Sequence, residues 1–183
     1  MIMHQRPMIE AICKRFGVNK DCEDPVTPLP DRYNVDTKDC PEVVDQARST
    51  LLRQIIGSFS FITNTRPHIK LAVSMLSRVA HNPSPEHLKM GIRILRYLWH
   101  TRHVPLVFTA KPWTGPDGFT FPVNLPGAYP DSSLGEGGLD VQRRSRCGFV
   151  FMMNGGCFAA KTTIRPVLAL LARWRRSKGY ITV

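Results

Sequence analysis

The chain has 183 residues, of which 43% are hydrophobic and 21% charged, a balance that excludes an intrinsically disordered protein and allows one ordinary domain or two small ones. Its formal net charge of +11 favours a polyanionic partner such as nucleic acid or an acidic membrane surface, although a merely basic soluble protein has the same charge. The longest apolar run, at 167–172, is too short to span a bilayer. We therefore expect no membrane insertion and an intracellular protein, either cytoplasmic or nuclear.

The chain begins with a predicted helix over residues 7–16, where apolar side chains recur at helical spacing and Gly17 follows as a C-terminal cap. The acidic stretch 21–41 contains four prolines and predicts an extended loop or linker, because proline removes a backbone donor. The five cysteines show neither zinc nor redox spacing, so we expect free, mostly buried thiols.

Three consecutive antiparallel helices are predicted next, joined by two short connections. The first runs from about 44 to 63, and the second starts at Pro67. The third has Ser84 as its N-cap, followed by Pro85 and Glu86 in the first turn. The predicted core face of this third helix consists of Leu88, Ile92, Leu95 and Leu98.

Short strands are predicted after His103, at 104–110 and 123–129, separated by a loop rich in Gly and Pro. A third strand at 147–154 leads through the turn sequence NGG into a fourth. The tail 164–183 is predicted to form a short helix. The fold class is therefore α+β, with helices first and a small antiparallel sheet after them.

The candidate binding residues are basic. They are Lys89, Arg93, Arg96 and Arg102 on the outer face of the third predicted helix, and Arg143 and Arg144 before the strand at 147. Cations on one face neutralise phosphates, so this pattern predicts nucleic-acid contact, with an ordinary solvated helix face as the alternative. Four histidines surround the same helix: His81, His87, His100 and His103. His100 and His103 could face each other one turn apart, but there we expect a solvated helix end rather than a metal site.

A single carboxylate, Asp131, lies at the end of a predicted strand in the sequence GAYPDSSLGE. Two-metal nucleases hold Mg²⁺ at such positions, but they need several carboxylates to neutralise and space two divalent ions. Glu136 and Asp140 follow in a Gly-rich loop, where solvated turn carboxylates are expected. No acidic residue follows Asp140.

Three segments in order resemble the C-terminal part of the polymerase region in copia-type retrotransposon Pol polyproteins. Residues 5–30 are similar to the family's Gln-x-x-Tyr-Ile…Pro-Val-x-Thr-Pro stretch. Residues 53–101 match its Gly-Ser-Leu-x-Tyr-Leu-x-x-Thr-Arg-Pro-Asp-Ile…Leu-Ser-Arg…Ile-Leu-Arg-Tyr-Leu block. Residues 128–156 resemble the block Tyr-Ser-Asp-Ala-Asp-Trp…Arg-Arg-Ser-Thr-Ser-Gly-Tyr-Val-Phe…Gly-Gly, which opens the ribonuclease H domain.

The resemblance implies four parts along the chain. They are an end-of-palm or thumb-like helix with a Pro-rich linker (1–43), a three-helix connection (44–103), a truncated ribonuclease-H-like sheet (104–163) and a divergent basic tail (164–183). It also implies an ancestral role in reverse transcription, with an RNA–DNA hybrid as substrate, Mg²⁺ as cofactor and the remainder of a polyprotein as partner.

The resemblance places Asp131 on the first metal-binding Asp of the ribonuclease H domain, with Ser133 in place of the second. Counting on without gaps, Trp174 stands where the family has its metal-binding Glu. We therefore expect no polymerase or hybrid-cleaving activity from this chain alone, and Asp131 is then vestigial. Two alternatives remain open: a non-catalytic nucleic-acid-binding module that uses the basic helix face, and a decayed reading frame without a stable product.

Overall fold

The computed structural model describes residues 1–18, 25–31, 33, 35, 40–116, 118–133 and 145–165, with the backbone alone at 131–133, 145–147 and 164–165. The chain divides into two compact units: a helical unit, Met3–Pro105, and a strand unit, Met1–Ile2 together with Leu106–Val183. The predicted α+β class is confirmed. The division into four parts stays a prediction. Within the described ranges, no helix has the length and apolarity needed to cross a membrane.

The helical unit contains four α-helices and a 3₁₀ turn in its described part. They are α1 (Arg6–Arg15), α2 (Gln46–Ile62), the 3₁₀ turn Pro67–Ile69, α3 (Lys70–Ser77) and α4 (Pro85–His100). All four predicted helices are therefore confirmed, and the helix expected from Pro67 opens with the 3₁₀ turn. Proline has no backbone N–H, and its fixed φ suits such a first turn.

Helix α1 ends in a Schellman motif, as Gly17 predicts. Gly17 has φ +71°, and its N–H donates to the carbonyl of Lys14 at 3.2 Å. The N–H of Val18 donates to the carbonyl of Cys13 at 2.9 Å, and the Val18 side chain is buried in the core. These bonds satisfy two carbonyls that the helix end would leave without partners.

Helix α4 begins with a capping box formed by Ser84 and His87. The hydroxyl of Ser84 accepts from the backbone N–H of His87 at 3.3 Å, and His87 Nδ1 accepts from the N–H of Ser84 at 3.1 Å. His87 is 1% exposed, so its ring is almost fully buried. It is buried because its ring takes the role that Glu or Gln usually has in this motif.

The core of the helical unit lies where α4 packs against the three other helices. Of the predicted core face of α4, Leu95 and Leu98 are fully buried, whereas Leu88 and Ile92 are partly buried and pack against the edge of the core. The buried positions of α4 are His87, Gly91, Ile94, Leu95 and Leu98. The buried face of α4 includes Gly91, where a Cβ would stand 3.1 Å from Leu52 Cδ1. Because glycine has no Cβ, α2 can pack closely against α4 at this position.

The strand unit is built around a three-stranded antiparallel sheet. Its shorter strands are β1 (Ile2–Met3), β2 (Leu106–Val107), β3 (Trp113–Thr114) and β4 (Thr120–Phe121). The three main strands are β5 (Gly127–Ser133), β6 (Ser145–Met153) and β7 (Gly156–Arg165). The predicted strand 104–110 is reduced to β2, and the one predicted at 123–129 begins only at Gly127. Prolines at positions 105, 122 and 126 explain both limits.

A small hairpin, β3–β4, occupies the segment that was predicted to be a loop. Trp113 pairs with Phe121 across the two strands, and their rings stack with centroids 4.6 Å apart. The strands were missed because each has two residues, too few for a pattern that alternates between faces. The hairpin is stabilised by packing between aromatic rings, which the hydrophobic periodicity of the sequence does not reveal.

The turn predicted from NGG is confirmed between β6 and β7. Asn154 and Gly155 have φ values of +52° and +78°, the signs that a tight two-residue hairpin turn needs. The Asn154 side chain also accepts from the N–H of Asn124 at 2.7 Å and donates to its side-chain oxygen at 2.9 Å. The turn is thereby attached to the loop before β5. The predicted tail helix lies outside the described residues.

Candidate nucleic-acid interface and the Asp131 strand

Three of the predicted binding residues, Lys89, Arg93 and Arg96, follow one another along α4 at spacings of four and three residues. Residues at these spacings are neighbours on one helix face. Lys89 is exposed and forms an ion pair with Glu86, with Nζ 2.6 Å from Oε1. Arg93 and Arg96 are half-buried, and the guanidinium Nε of each is shielded from solvent. The face is therefore basic but only partly exposed.

Arg102 does not share this face, so that prediction was wrong. Helix α4 ends at His100, and Arg102 lies in the turn that follows. Its guanidinium stacks over the Trp99 ring, 4.4 Å from the centroid, and its Nε lies 3.2 Å from Glu10 Oε1. Arg102 thus connects the end of α4 to α1.

Glu10 receives a second cation, because Arg6 Nε lies 2.8 Å from the same carboxylate oxygen. The hydrogen bond from Arg6 is the main cause that holds the pKa of Glu10 below its usual value; loss of hydration opposes it, and Arg102 adds a smaller lowering effect. An open cleft of about 380 Å³ lies beside this carboxylate, lined by Glu10, Lys14, Gly17, Val18 and Trp99. Since Glu10 already pairs with two arginines, the cleft offers no unpaired carboxylate for a metal or a cationic ligand.

Asp131 lies in β5, directly opposite Gly148 of β6 in the antiparallel register. Ser133 is two residues further along the same strand, and alternate residues of a strand occupy the same face. Two of the predicted binding residues, Arg143 and Arg144, lie outside the described residues, as do Glu136 and Asp140. Across the part of the chain that the structure describes, no three His, Cys, Asp or Glu residues come together to hold a metal ion.

Sequence reasoning missed two groups of aromatic residues. Trp99 was not singled out, although its place three residues before Arg102, at the penultimate position of α4, is compatible with cation stacking. The phenylalanines of β6 and β7 were interpreted only as strand formers. The spacing of Phe149 and Phe151, and the position of Phe158 just after the turn, would have placed all three near one another.

Comparison with known proteins finds relatives that are described as retrovirus-related Pol polyproteins. The chain is 30% identical over 172 residues, 92% of its length, to the retrovirus-related Pol polyprotein from transposon TNT 1-94 of Nicotiana tabacum, of which it spans 12%. It is 49% identical over 49 residues to the retrovirus-related Pol polyprotein from transposon RE1 of Arabidopsis thaliana, covering 27% of this chain and 3% of that protein.

A third relative has a different description. The chain is 32% identical over 106 residues to the secreted RxLR effector protein 161 of Plasmopara viticola, covering 58% of this chain and 66% of that protein. No protein-family model matches the chain. No solved structure matches it significantly either. The relatives of this chain therefore include retrotransposon Pol polyproteins, and the chain is similar to a short segment of them.

Proposed function

We propose that the chain is a segment of a copia-type Pol polyprotein, covering the C-terminal part of the reverse transcriptase region and the start of the ribonuclease H domain. One observation supports this most directly: a helical unit precedes a three-stranded antiparallel sheet whose first strand contains Asp131. That is the order in which the resembling blocks occur along the sequence. The ancestral role is then reverse transcription, with an RNA–DNA hybrid as substrate.

Mg²⁺ does not fit the residues of this chain as a productive cofactor. The ancestral site needs several carboxylates around two metal ions, because one Asp neither neutralises them nor fixes their spacing. Here Ser133 replaces the second carboxylate on the same strand, and a hydroxyl supplies a neutral oxygen in place of a charged one. We therefore propose that Asp131 is a vestigial metal ligand and that this chain alone does not cleave a hybrid.

The test is a cleavage assay with a labelled RNA–DNA hybrid and Mg²⁺, using the full chain. We expect no RNA cleavage above that of Asp131→Asn. The matched control is Glu42→Gln, which changes an exposed carboxylate in the other unit. Mg²⁺-dependent cleavage by the unmodified chain and by Glu42→Gln, but not by Asp131→Asn, would overturn the proposed inactivity and make Asp131 a working ligand.

A second candidate function is nucleic-acid binding by the α4 face formed by Lys89, Arg93 and Arg96. The observation that favours it is their regular spacing on a helix of a strongly basic chain. Phosphate contacts release counterions, so the observed affinity should fall steeply as salt rises. A duplex and a single strand should both bind, since both present phosphates.

Charge reversal tests this second candidate. Replacing Lys89, Arg93 and Arg96 by Glu should abolish salt-dependent binding in a fluorescence anisotropy titration. The control reverses three exposed cations elsewhere in the same unit, Lys14, Arg15 and Arg78, and so produces the same net charge. Equal losses in both triple variants would show an effect of net charge alone. Far-ultraviolet circular dichroism should confirm that both variants remain helical.

A further inference from the structure

The sheet β5–β6–β7 has two chemically different faces. Tyr129 of β5 and its partner Val150 of β6 lie on one face. The β3–β4 hairpin packs on that face: the centroid of the Tyr129 ring lies 6.4 Å from that of Trp113 and 6.3 Å from that of Phe121. Gly127 lets the hairpin approach, because a Cβ there would stand 2.7 Å from the Phe121 ring.

The other face carries a row of three phenylalanine rings. Phe149 and Phe151 alternate with Val150 along β6, so their side chains lie on the face opposite to the hairpin. Their ring centroids are 5.0 Å apart, and the Phe151 ring stacks on Phe158 of β7 at 5.9 Å with an interplanar angle of 27°. Phe158 is 51% exposed, and the other two are partly exposed.

A β-bulge places Phe158 in this row. Phe151 pairs with Ala159 and Met152 with Cys157, so Phe158 is the extra residue on β7. In a bulge two residues of one strand oppose a single partner, and the bulged residue is redirected. Without the bulge, Phe158 and Ala159 would alternate between faces. With it, Phe158 stacks on Phe151 at the surface.

The row has a cation beside it and basic sequence around it. Lys161 is exposed and pairs with Phe149 in the register, which places it on the same face. Arg146 and Arg165 lie in β6 and β7 at the far end of this strand pair from the turn. From residue 141 onward the sequence contains Lys and Arg but no Asp or Glu. The positive charge of this part of the chain is therefore complementary to a polyanion.

We propose that the face formed by Phe149, Phe151, Phe158 and Lys161 is a stacking surface for single-stranded nucleic acid. Unpaired bases stack on exposed aromatic rings, and a neighbouring cation binds the phosphates between them. Both the rings and the lysine are needed to identify the ligand class. Exposed rings alone would suit any apolar partner, whereas rings beside lysine, in a segment without carboxylates, favour a ligand that has flat apolar rings and negative charge. The surface lies in the strand unit, apart from the α4 face, and does not depend on hybrid cleavage.

The test uses the full chain and a fluorescein-labelled deoxythymidine oligonucleotide, with a duplex of the same length for comparison. Phe158→Ala should weaken single-strand binding by about 5- to 100-fold, the effect expected for loss of one stacked base. Phe158→Trp should retain binding, because the indole offers a larger ring. Phe119→Ala is the matched control: it removes a ring of similar exposure, 45%, from the β3–β4 hairpin, and should leave binding unchanged.

Three results would overturn the proposal. The first is unchanged single-strand affinity in Phe158→Ala, and the second is an equal loss in Phe119→Ala. The third is concentration-dependent self-association of the chain, measured by sedimentation velocity, that Phe158→Ala abolishes; the face would then be an interface between two copies. Charge reversal on α4 affects duplex and single strand alike, whereas Phe158→Ala affects the single strand only, so the two binding proposals can fail independently.

Discussion

Arg66 donates a hydrogen bond from Nη2 to the backbone carbonyl of Thr101, the C-cap residue that follows α4. The Arg66 side chain is 3% exposed, and this burial lowers the pKa of its guanidinium from the usual value, an effect that the nearby Tyr97 partly offsets. Carbonyls in the last turn of a helix have no partner within the helix, and a cation there also interacts favourably with the helix dipole. The Thr-Arg-Pro stretch thus has a structural role: its arginine fixes the end of α4 against the connection after α2.

Arg66→Ala should lower the free energy of unfolding by about 2 to 4 kcal/mol, because it removes a charged hydrogen bond to a partly buried carbonyl and leaves a void. The measurement is urea unfolding followed by circular dichroism. Arg53→Ala is the control, since its Nε donates to the carbonyl of Ala80 at 3.3 Å from an exposed position. It should change the stability by less than about 0.5 kcal/mol. Equal effects of the two substitutions would contradict the role assigned to Arg66.

Two helical glycines should respond oppositely to substitution. At Gly57 of α2 a Cβ would meet no neighbouring atom within 4 Å, so Gly57→Ala should stabilise the chain by about 0.5 to 1 kcal/mol through helix propensity alone. At Gly91 of α4 a side chain would meet Leu52, so Gly91→Val should destabilise by about 1 to 3 kcal/mol through overpacking. Thermal unfolding midpoints of the two variants test the prediction, and a stabilised Gly91→Val would show that α2 and α4 pack less closely.

His68 should make stability weakly pH-dependent. Partial burial, and then the charge of Arg66, lower the pKa of His68 from its usual value of 6.5. A lowered pKa means that the unfolded chain binds the proton more readily, so this contribution to stability is present above pH 6.5 and is lost as the pH falls through the folded-state pKa. The side chain is still solvent-accessible, so we expect a shallow slope. Urea midpoints measured across this pH range should lose that slope in His68→Gln and keep it in His103→Gln.

Cys13 should be chemically inert in the folded chain. It is 1% exposed and donates from Sγ to the carbonyl of Leu95 at 3.5 Å, and burial raises the pKa of its thiol to about 12. The reactive thiolate is therefore negligible at neutral pH. After brief iodoacetamide treatment, mass spectrometry should find Cys13 unmodified in buffer and alkylated in urea. Rapid alkylation of Cys13 in buffer would mean that α1 separates readily from α4.

The elements predicted correctly from the sequence are those specified by neighbouring residues. The start of α4 follows from Ser84 and Pro85, the end of α1 from Gly17, and the β6–β7 turn from Asn154 and Gly155. In each case the residue satisfies a backbone requirement within a few positions, so the local sequence is sufficient.

The features that were missed depend on residues far apart in the sequence. Arg66 donates to the carbonyl of Thr101, which lies 35 positions away in the sequence. Arg102 pairs with Glu10, which lies 92 positions away, and so does not share the α4 face. The β3–β4 hairpin is formed by aromatic packing rather than by a strand pattern. The same distinction holds for the two candidate binding surfaces. The spacing of Lys89, Arg93 and Arg96 can be counted within one helix. The row of phenylalanine rings depends on the pairing register of β6 with β7 and on the β-bulge, which the sequence does not reveal.

We propose that this chain is a segment of a retrotransposon Pol polyprotein. The most direct measurement is the sequence of the full-length transcript on both sides of the reading frame. We expect an upstream segment that encodes the polymerase motif Tyr-x-Asp-Asp and a downstream segment that encodes Thr-Glu-Ala-Glu, either in frame or interrupted by stop codons. Flanking sequence without either motif, in any reading frame, would contradict it.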